Sequence, residues 1–315
     1  LVPAARAQAP SVKLRVAPAA GPGAPLAEML AVLIPWAERS LPGRLDVEAH
    51  TRGSLAREGS EAAALQRGEA EMAIVSAREL AERVPAWSIV AAPYVVRDPD
   101  HAKRLLASPS GKSLTALARK DLKVRVLAPA YLGTRQVVLR EAREIRSPGD
   151  LKGLKLRATP TDPPGAMLAR GLGMTAVPLG ADDIGKAFKA GTIDAAEVSL
   201  LTLQRANALD AVKQLVVTSH LIETAWVAIA DPVWKKLDES QRLVIGEAVR
   251  GALRFNLTNR LREEARLTNQ LGSRGVPTAT LDLEPVRRAV LQAVAASDPA
   301  KNWPRGMLEA LTAVR

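Results

Sequence analysis

Short segments of alternating apolar and polar residues are separated along the chain by segments with helical spacing. Residues 12–17 and 45–50 alternate with period two, and residues 72–76 are continuously apolar, as expected for a strand buried on both faces. Residues 26–40 carry apolar side chains at helical spacing, and residues 58–67 form a shorter helical pattern that ends at a glycine. This β-α-β-α-β order predicts a parallel or mixed α/β sheet with right-handed crossovers.

The alternation of predicted strands and helices continues through the rest of the chain. Helices are predicted over residues 101–119, 163–171 and 181–190. The further predicted strands cover residues 124–130, 136–139, 154–158, 175–177, 193–199, 213–218 and 225–230. No internal repeat or low-complexity linker interrupts this order, and so the pattern predicts an α/β protein throughout.

One long segment bears on the domain organisation. Residues 239–272 contain no proline, and apolar residues recur in them every four positions from Ile245 to Ala265. As a single helix this segment would be about 50 Å long at ~1.5 Å per residue, whereas a domain of about 150 residues has a radius of gyration of only roughly 15 Å. We therefore favour one helix that spans two domains. Two ordinary helices broken near Gly251 are the alternative.

Composition excludes several classes of protein. The 315 residues suffice for about two domains, and no apolar run is long enough to span a bilayer. Without cysteine the chain has no disulfide, thiol nucleophile or cysteine metal site, and the three histidines lie far apart in the sequence. The net charge is +11, but the basic residues are interleaved with acidic ones, and only 3% of residues are aromatic. Both features argue against nucleic-acid binding. A positive surface could instead attract small anionic ligands.

The first nine residues are typical of the end of a secretory signal. Residues 7–9 (Ala-Gln-Ala) form a small-x-small cleavage site. We interpret residues 1–9 as a signal-peptide remnant, with a disordered leader as the alternative. Export of a protein without cysteine suits the bacterial periplasm.

Several motifs occur in an order that identifies a family. Residues 150–157 (Asp-Leu-Lys-Gly-Leu-Lys-Leu-Arg) resemble the D-L-K-G-L-K-[IL]-R signature of the extracytoplasmic solute-binding proteins of TRAP transporters, the DctP family. Residues 130–136 resemble the family's G-x-R element, and residues 190–197 resemble its G-x-[VI]-D-G-x-E-N element. Weaker matches that keep the family's order are residues 53–55, 68–73 and 92–94, His220, residues 234–237 and Gln241. The similarity covers nearly all of residues 12–285.

The resemblance implies a periplasmic-binding-protein fold of two α/β domains, with crossing hinge strands, one long bridging helix and a ligand cleft between the domains. We expect domain I to comprise residues 10–130 and about 214–250, and domain II to comprise residues 131–213 and about 251–315. The resemblance also implies a protein that captures a small organic carboxylate and delivers it to a TRAP membrane permease.

Arginines are the leading candidates for ligand binding. Arg157 ends an apolar strand, where a charged side chain needs an anionic partner, and its planar guanidinium can grip a carboxylate with two hydrogen bonds. An internal ion pair is the alternative role. The family places its principal carboxylate-binding arginine at this position, and the arginine matching Arg135 often assists it. Glu197 belongs to the third motif, in which Val198 replaces the family's asparagine. This departure argues against a polyol or a sialic-acid-like ligand.

Other candidate site residues rest on weaker grounds. Trp226 could form an apolar wall of the site or pack in the core, and Tyr131 and Glu58 are further candidates for ligand contact. His220 is interpreted as a structural histidine. No hydrolase, zinc, phosphate-loop or dinucleotide motif is present, so we predict no catalytic residues, cofactor or metal. The remaining alternatives are an α/β enzyme acting on an anionic substrate and an ABC-type binding protein.

Overall fold

The computed structural model describes residues 11–18, 25–51, 53–57, 59–160 and 163–315. The strands in these residues are β1 (Val12–Ala17), β2 (Leu45–Ala49), β3 (Met72–Ser76), β4 (Val124–Leu139), β5 (Lys155–Ala158), β6 (Thr175–Pro178), β7 (Ala195–Ser199), β8 (Gln214–Ala230) and β9 (Thr278–Thr280). The helices are α1 (Pro25–Ser40), α2 (Glu61–Arg67), α3 (Ala77–Arg83), α4 (Pro99–Ala107), α5 (Pro109–Leu122), α6 (Pro163–Gly171), α7 (Ile184–Ala190), α8 (Leu200–Arg205), α9 (Asp231–Lys236), α10 (Glu239–Ser273), α11 (Leu283–Ala295) and α12 (Met307–Thr312). The predicted leader, residues 1–9, lies outside the described residues.

The chain divides into two compact units. The first contains the described residues up to Val84 together with Ser113–Ala130 and Ala225–Thr258, and the second contains Pro85–Lys112, Tyr131–Thr224 and Asn259–Arg315. This division differs from the predicted domains, because residues 85–112 and 214–224 group with the second unit and residues 251–258 with the first.

Hydrogen bonds within the second unit explain why residues 85–112 belong to it. The Tyr94 hydroxyl donates to the carbonyl oxygen of Thr218 at 2.9 Å, and the Trp303 ring N–H donates to the Ser88 hydroxyl at 2.7 Å. These bonds tie the segment to β8 and to the C-terminal helical region, both of which are parts of the same unit. No alternation of apolar residues signals such contacts in the sequence.

The first unit has the strand order β2-β1-β3-β8-β4. Strand β1 is parallel to β2 and β3, and the end of β8 is antiparallel to β3. The continuously apolar β3 is buried at four of its five positions, as its sequence predicts. Helix α3 begins directly after β3 with a capping box, in which Ser76 and Glu79 bond each other's backbone N–H groups.

The second unit has the strand order β9-β8-β4-β7-β5-β6. Strand β4 is antiparallel to β7, whereas β5 is parallel to both β6 and β7. The apolar core of the second unit lies between one face of this sheet and α7, α8 and the end of α10. Phe188, Leu203 and Leu267 are among its buried residues. This arrangement places β7 in the middle of the sheet, between β4 and β5.

Strands β4 and β8 are each continuous, although the sequence predicted two separate strands in each region. The first seven residues of β4 belong to the first unit and its remainder to the second, and β8 passes from the second unit to the first after Thr224. The strand predicted over residues 213–218 therefore ends too early, because β8 continues through His220, which lies near its middle.

Helix α10 runs for 35 residues without interruption. The prediction of one long helix is confirmed, and the alternative of a break near Gly251 is excluded. Its residues up to Thr258 belong to the first unit and those from Asn259 to the second. None of the helices in the described part of the chain combines the length and apolarity needed to cross a bilayer.

Candidate functional site

Three neighbouring strands of the second unit bring two arginines and a glutamate together. Arg135 lies on β4, Glu197 on β7 and Arg157 on β5. Because β7 lies between β4 and β5 and pairs with both, Glu197 stands between the two arginines. We call Arg135, Arg157, Glu197, His220 and Glu223 the Glu197 cluster.

The Glu197 side chain is completely buried and faces three nitrogen-bearing side chains. Its carboxylate oxygens accept hydrogen bonds from Nη1 of Arg135 at 3.1 and 3.3 Å. Nη1 of Arg157 lies 3.8 Å from one oxygen, and Nε2 of His220 lies 3.6 Å from the other. A buried carboxylate is expensive unless it is paired, and here each oxygen has a cationic or polar neighbour.

The environment keeps Glu197 ionised and His220 neutral. Burial alone would raise the pKa of Glu197, but Arg135, His220 and Arg157 together hold that pKa below its ordinary value. Burial lowers the pKa of His220, and the attraction of Glu197 offsets this only in part. Nδ1 lies 2.9 Å from the Thr218 hydroxyl, within hydrogen-bond distance. Because a carboxylate can only accept, we infer that the neutral ring carries its proton on Nε2, which faces the Glu197 carboxylate at 3.6 Å, and that Nδ1 accepts from Thr218.

The two arginines differ in their exposure and in their other partners. Arg157 is 3% exposed, and its Nε and Nη1 donate to the backbone carbonyl oxygens of Leu179 at 2.7 Å and Glu197 at 3.2 Å. The Arg135 side chain is 14% exposed, and its Nε donates to Glu223 at 2.7 Å. The charges of Arg135 and Arg157 are thus balanced by Glu197 and Glu223.

Helix α10 fixes the segment of β4 that precedes Arg135. Glu264 accepts hydrogen bonds from the Tyr131 hydroxyl and from the Thr134 backbone N–H, the latter at 2.7 Å. Burial is the main cause of the raised pKa of Glu264. Burial is also the main cause of the raised pKa of Tyr131, and the nearby Glu264 carboxylate raises it further. Gly133 permits this approach, because a Cβ atom there would lie 3.3 Å from the Glu264 carboxylate.

A second glycine brings a helix against the cluster. A Cβ atom at Gly165 in α6 would lie 2.7 Å from the Cβ of Ala158 and 2.9 Å from a carboxylate oxygen of Glu197. Only glycine allows α6 to approach the end of β5 and the Glu197 carboxylate this closely.

Of the seven predicted site residues, three belong to the Glu197 cluster: Arg135, Arg157 and Glu197. Tyr131 lies on the segment of β4 just before Arg135, where Glu264 accepts from its hydroxyl and from the Thr134 backbone N–H. The structure places Val198 and Trp226 elsewhere. Val198 is 2% exposed and packs with the apolar core of the second unit. Trp226 belongs to the first unit, where it pairs with Val75 and is completely buried. Glu58 lies outside the described residues.

Sequence reasoning missed Glu223 and Glu264 and assigned His220 no role beyond structure. The only local signal for Glu223 is a charged residue within an apolar strand, and Glu264 is one of many charged residues on α10. His220 is completely buried, as expected for a structural histidine, but it also contacts Glu197. In the described part of the chain, no three acidic or histidine side chains are placed to hold a metal ion.

Comparison with known sequences matches most of the chain to one family. The profile of DctP, described as bacterial extracellular solute-binding protein family 7, matches residues 17–298. The sialic acid-binding periplasmic protein SiaP of Vibrio cholerae is 28% identical over 207 residues, which are 66% of this chain and 64% of that protein. The chain thus aligns with less than two thirds of SiaP.

Comparison with solved structures gives the same result at the level of fold. A TRAP periplasmic solute-binding protein from Roseobacter denitrificans, with bound 3-deoxy-D-manno-oct-2-ulosonic acid, is 28% identical with a TM-score of 0.78, and the match covers 97% of this chain and all of that one. A TRAP solute-binding protein from Ochrobactrum anthropi is 23% identical with a TM-score of 0.85, covering 96% and 94% of the two chains. The predicted fold class, an α/β fold of the periplasmic-binding-protein type, is confirmed.

Proposed function

Because the chain belongs to the DctP family of bacterial extracellular solute-binding proteins, we propose that it binds a small sugar acid through Arg157 and Arg135. Members of the family are solute-binding proteins, and the chain is accordingly a TRAP-type binding protein and not an enzyme. This excludes the α/β enzyme and the ABC-type binding protein that the sequence left open.

The observation that carries the proposal is the convergence of two guanidinium groups on one point of the sheet. Arg135 and Arg157 both reach the Glu197 carboxylate within 4 Å. A guanidinium has five N–H donors, so it can hold an internal acid with one edge and serve a ligand carboxylate with another. Charge-assisted bonds of this kind contribute about 1.5–3 kcal/mol each.

The ligand class follows from the relatives. The V. cholerae protein is named for sialic acid, and the R. denitrificans protein holds 3-deoxy-D-manno-oct-2-ulosonic acid. Both compounds are sugars with a carboxylate. Val198 argued against such ligands because it replaces an amide, but its side chain packs in the apolar core. Valine in place of the family's asparagine therefore removes no contact of the Glu197 cluster. We retain the sugar-acid class of ligand.

A ligand panel tests this assignment. Thermal shift and calorimetry would compare 3-deoxy-D-manno-oct-2-ulosonic acid, N-acetylneuraminate, glucuronate and galacturonate with succinate and with neutral glucose. We expect stabilisation by at least one sugar acid that follows RT ln(1 + [L]/Kd), and none by glucose. Binding of succinate alone would replace the sugar-acid class by a dicarboxylate, and binding of glucose would contradict the carboxylate requirement.

Substitution of the arginines tests the residues. Arg157→Ala and Arg135→Ala should each weaken binding by about 2–5 kcal/mol, or about 30-fold and more, because a charged partner of the ligand is lost. Arg146→Ala is the matched control, since that side chain is 80% exposed and pairs with Glu144. Equal affinity of the wild type, the Arg157 variant and the control would contradict the role of Arg157.

We further propose that the protein works in the periplasm and delivers its ligand to a TRAP membrane permease. The family description as extracellular and the periplasmic relatives support this location. Proteoliposomes that contain a TRAP permease from the source organism should take up labelled ligand only when the wild-type protein is added outside. Uptake at the same rate without the protein would contradict the proposal.

A further inference from the structure

A kink in β8 lies next to His220, a member of the Glu197 cluster. Ser219 has a φ of +42°, a left-handed conformation that is uncommon for residues other than glycine. Thr218 and His220 on either side are completely buried. A strained residue within a strand persists only if its surroundings hold it in place.

The side-chain amide of Gln136 holds the kink. Its Oε1 accepts hydrogen bonds from the backbone N–H groups of Thr218 at 2.9 Å and Ser219 at 2.7 Å, and its Nε2 donates to the Ser219 hydroxyl at 3.1 Å. The kink takes these two N–H groups out of the regular ladder, and the single amide oxygen satisfies both. A buried N–H group without an acceptor would destabilise the fold.

The kink in turn sets the orientation of His220. The Thr218 hydroxyl bonds Nδ1 of the ring, and the backbone N–H of Tyr94 donates to the His220 carbonyl oxygen at 2.8 Å. With Nδ1 fixed, Nε2 points to the Glu197 carboxylate, which accepts from Arg135. The contacts form a closed circuit that starts at Arg135 and returns to its neighbour in the chain, Gln136.

We propose that Gln136 is a positioning residue for ligand binding, which sets the orientation of His220, and through Glu197 that of the Arg135 guanidinium, by holding the left-handed kink at Ser219. The inference rests on the proposed function, in which Arg135 binds the ligand carboxylate. The hydrogen bonds of the Gln136 side chain all go to Thr218 and Ser219 of β8, and so its influence on His220 passes through β8. A regular strand at Ser219 would turn His220 away from Glu197.

The test compares two glutamines that bond the backbone of a neighbouring segment. Gln136→Leu removes the amide while keeping a side chain of similar size, and the cross-strand neighbour of Gln136 is the apolar Val198. Gln214→Leu is the matched control, because Gln214 lies on β8, the strand that Gln136 holds, and its amide bonds both backbone groups of Arg143, at 2.8 and 2.9 Å. Both variants lose buried hydrogen bonds, and we expect both to melt at lower temperature.

Two readouts separate positioning from a merely structural role. We expect Gln136→Leu to raise the Kd for the sugar acid at least ~10-fold, and Gln214→Leu to leave it within ~2-fold. The chain has only three histidines, so imidazole ¹⁵N–¹H spectra resolve each ring once His50→Gln and His101→Gln have assigned the other two. The wild type should show His220 with its proton on Nε2, and this signal should shift in Gln136→Leu but not in the control.

Two outcomes would overturn the inference. One is a Gln136→Leu variant whose His220 signals and Kd both match those of the wild type. The other is a loss of affinity that is equal in Gln136→Leu and Gln214→Leu. If the leucine variant does not fold, Gln136→Asn replaces it, because a side chain shorter by one methylene cannot reach both N–H groups. If the wild type binds no sugar acid, the proposed function fails, whereas the His220 signals still report whether Gln136 positions the ring.

Discussion

At the scale of single residues, the motifs located the two arginines and Glu197 but not Glu223, and they gave His220 only a structural role. Arg157 and Arg135 stand in recognisable motifs, and a lone arginine in an apolar strand demands an anionic partner. The arginines, Glu197, Glu223 and His220 lie on strands that are distant in sequence. Only the strand order brings them together, and a single sequence carries no local signal for that order.

Replacement of Glu197 tests the charge balance of the cluster. Glu197→Gln leaves the buried Arg157 and the partly buried Arg135 without their shared carboxylate, and we expect the free energy of unfolding to fall by about 3–5 kcal/mol at pH 7. The pKa of Glu197 is lowered on folding, so its contribution to stability is present above its unfolded pKa of ~4.3 and is lost as pH falls toward the folded pKa. The stability gap between wild type and variant should therefore narrow below about pH 4.5.

Urea unfolding at pH 7, 5, 4 and 3.5 measures this gap. Glu144→Gln is the control, because Glu144 forms an exposed ion pair in which the partner side chains are 69% and 80% exposed. Exposed pairs contribute about 0–1 kcal/mol. A gap for Glu197→Gln that stays constant across this pH range would show that folding does not shift the pKa of Glu197, and a gap that widens as pH falls would show that folding raises it.

At the scale of elements, the pattern located the strands well where they serve only the core. Strands β1 and β3 have the predicted bounds, whereas β4 and β8 were each divided in two. The gaps between the predicted halves contain Tyr131, Arg135, His220 and Glu223, the polar residues of the site and its surroundings. These residues interrupt the apolar pattern because they serve the site. Strand β9 was missed, since it has only three residues.

Substitution by alanine at two helical glycines, Gly165 and Gly251, should change the stability of the protein in opposite directions. Gly165→Ala in α6 would place a Cβ atom 2.7 Å from the Ala158 Cβ, and so we expect a loss of about 1–3 kcal/mol from overpacking, together with weaker ligand binding. Gly251→Ala in α10 meets no atom within 4 Å and should stabilise the protein by up to about 1 kcal/mol, because alanine is the better helix former. Thermal and urea unfolding would measure both, and a neutral Gly165→Ala would show that α6 can move away without loss.

Helices α2 and α3 share a pair of buried acids. Burial and the adjacent Glu79 raise the pKa of Glu61 to about 8, while Glu79 accepts from the backbone of Ala62 and Ser76. The folded protein therefore keeps a proton that the unfolded chain releases above its ordinary pKa. Stability should fall as pH rises from about 5 to 8, by at most about 1.4 kcal/mol per unit from this group.

The Glu61→Gln variant isolates the contribution of Glu61 to the pH dependence of stability. The amide resembles the protonated acid, since it can donate to Glu79 and still accept from the Gly59 N–H. We expect the variant to be more stable than the wild type at pH 8 and similar to it at pH 5, as measured by urea unfolding. An equal difference at both pH values would contradict a shared proton.

At the scale of the whole molecule, the units were harder to predict than the fold class. The predicted first domain included residues 85–112. Their hydrogen bonds, however, go to β8 and to residues 303–314 of the second unit. Membership of a unit is decided by such long-range contacts, which hydrophobic periodicity does not report.

The net charge of +11 is a property of the whole chain, and it predicts how the ligand is captured. A positive field raises the association rate of an anion, and salt screens it, with a Debye length of about 10 Å at 0.1 M. The association rate constant of the sugar acid should fall several-fold between ~20 mM and 0.5 M salt, while the dissociation rate changes little. Stopped-flow tryptophan fluorescence measures both rates.

Charge reversal on α7 provides the comparison for the salt series. Lys186 and Lys189 are exposed residues of the second unit, and changing both to glutamate lowers the net charge by four without touching the Glu197 cluster. This variant should bind more slowly at low salt, and its association rate should depend less on salt than that of the wild type. If both proteins show the same salt-independent rate, the charge of the molecule plays no part in capture, and the arginines act only after contact.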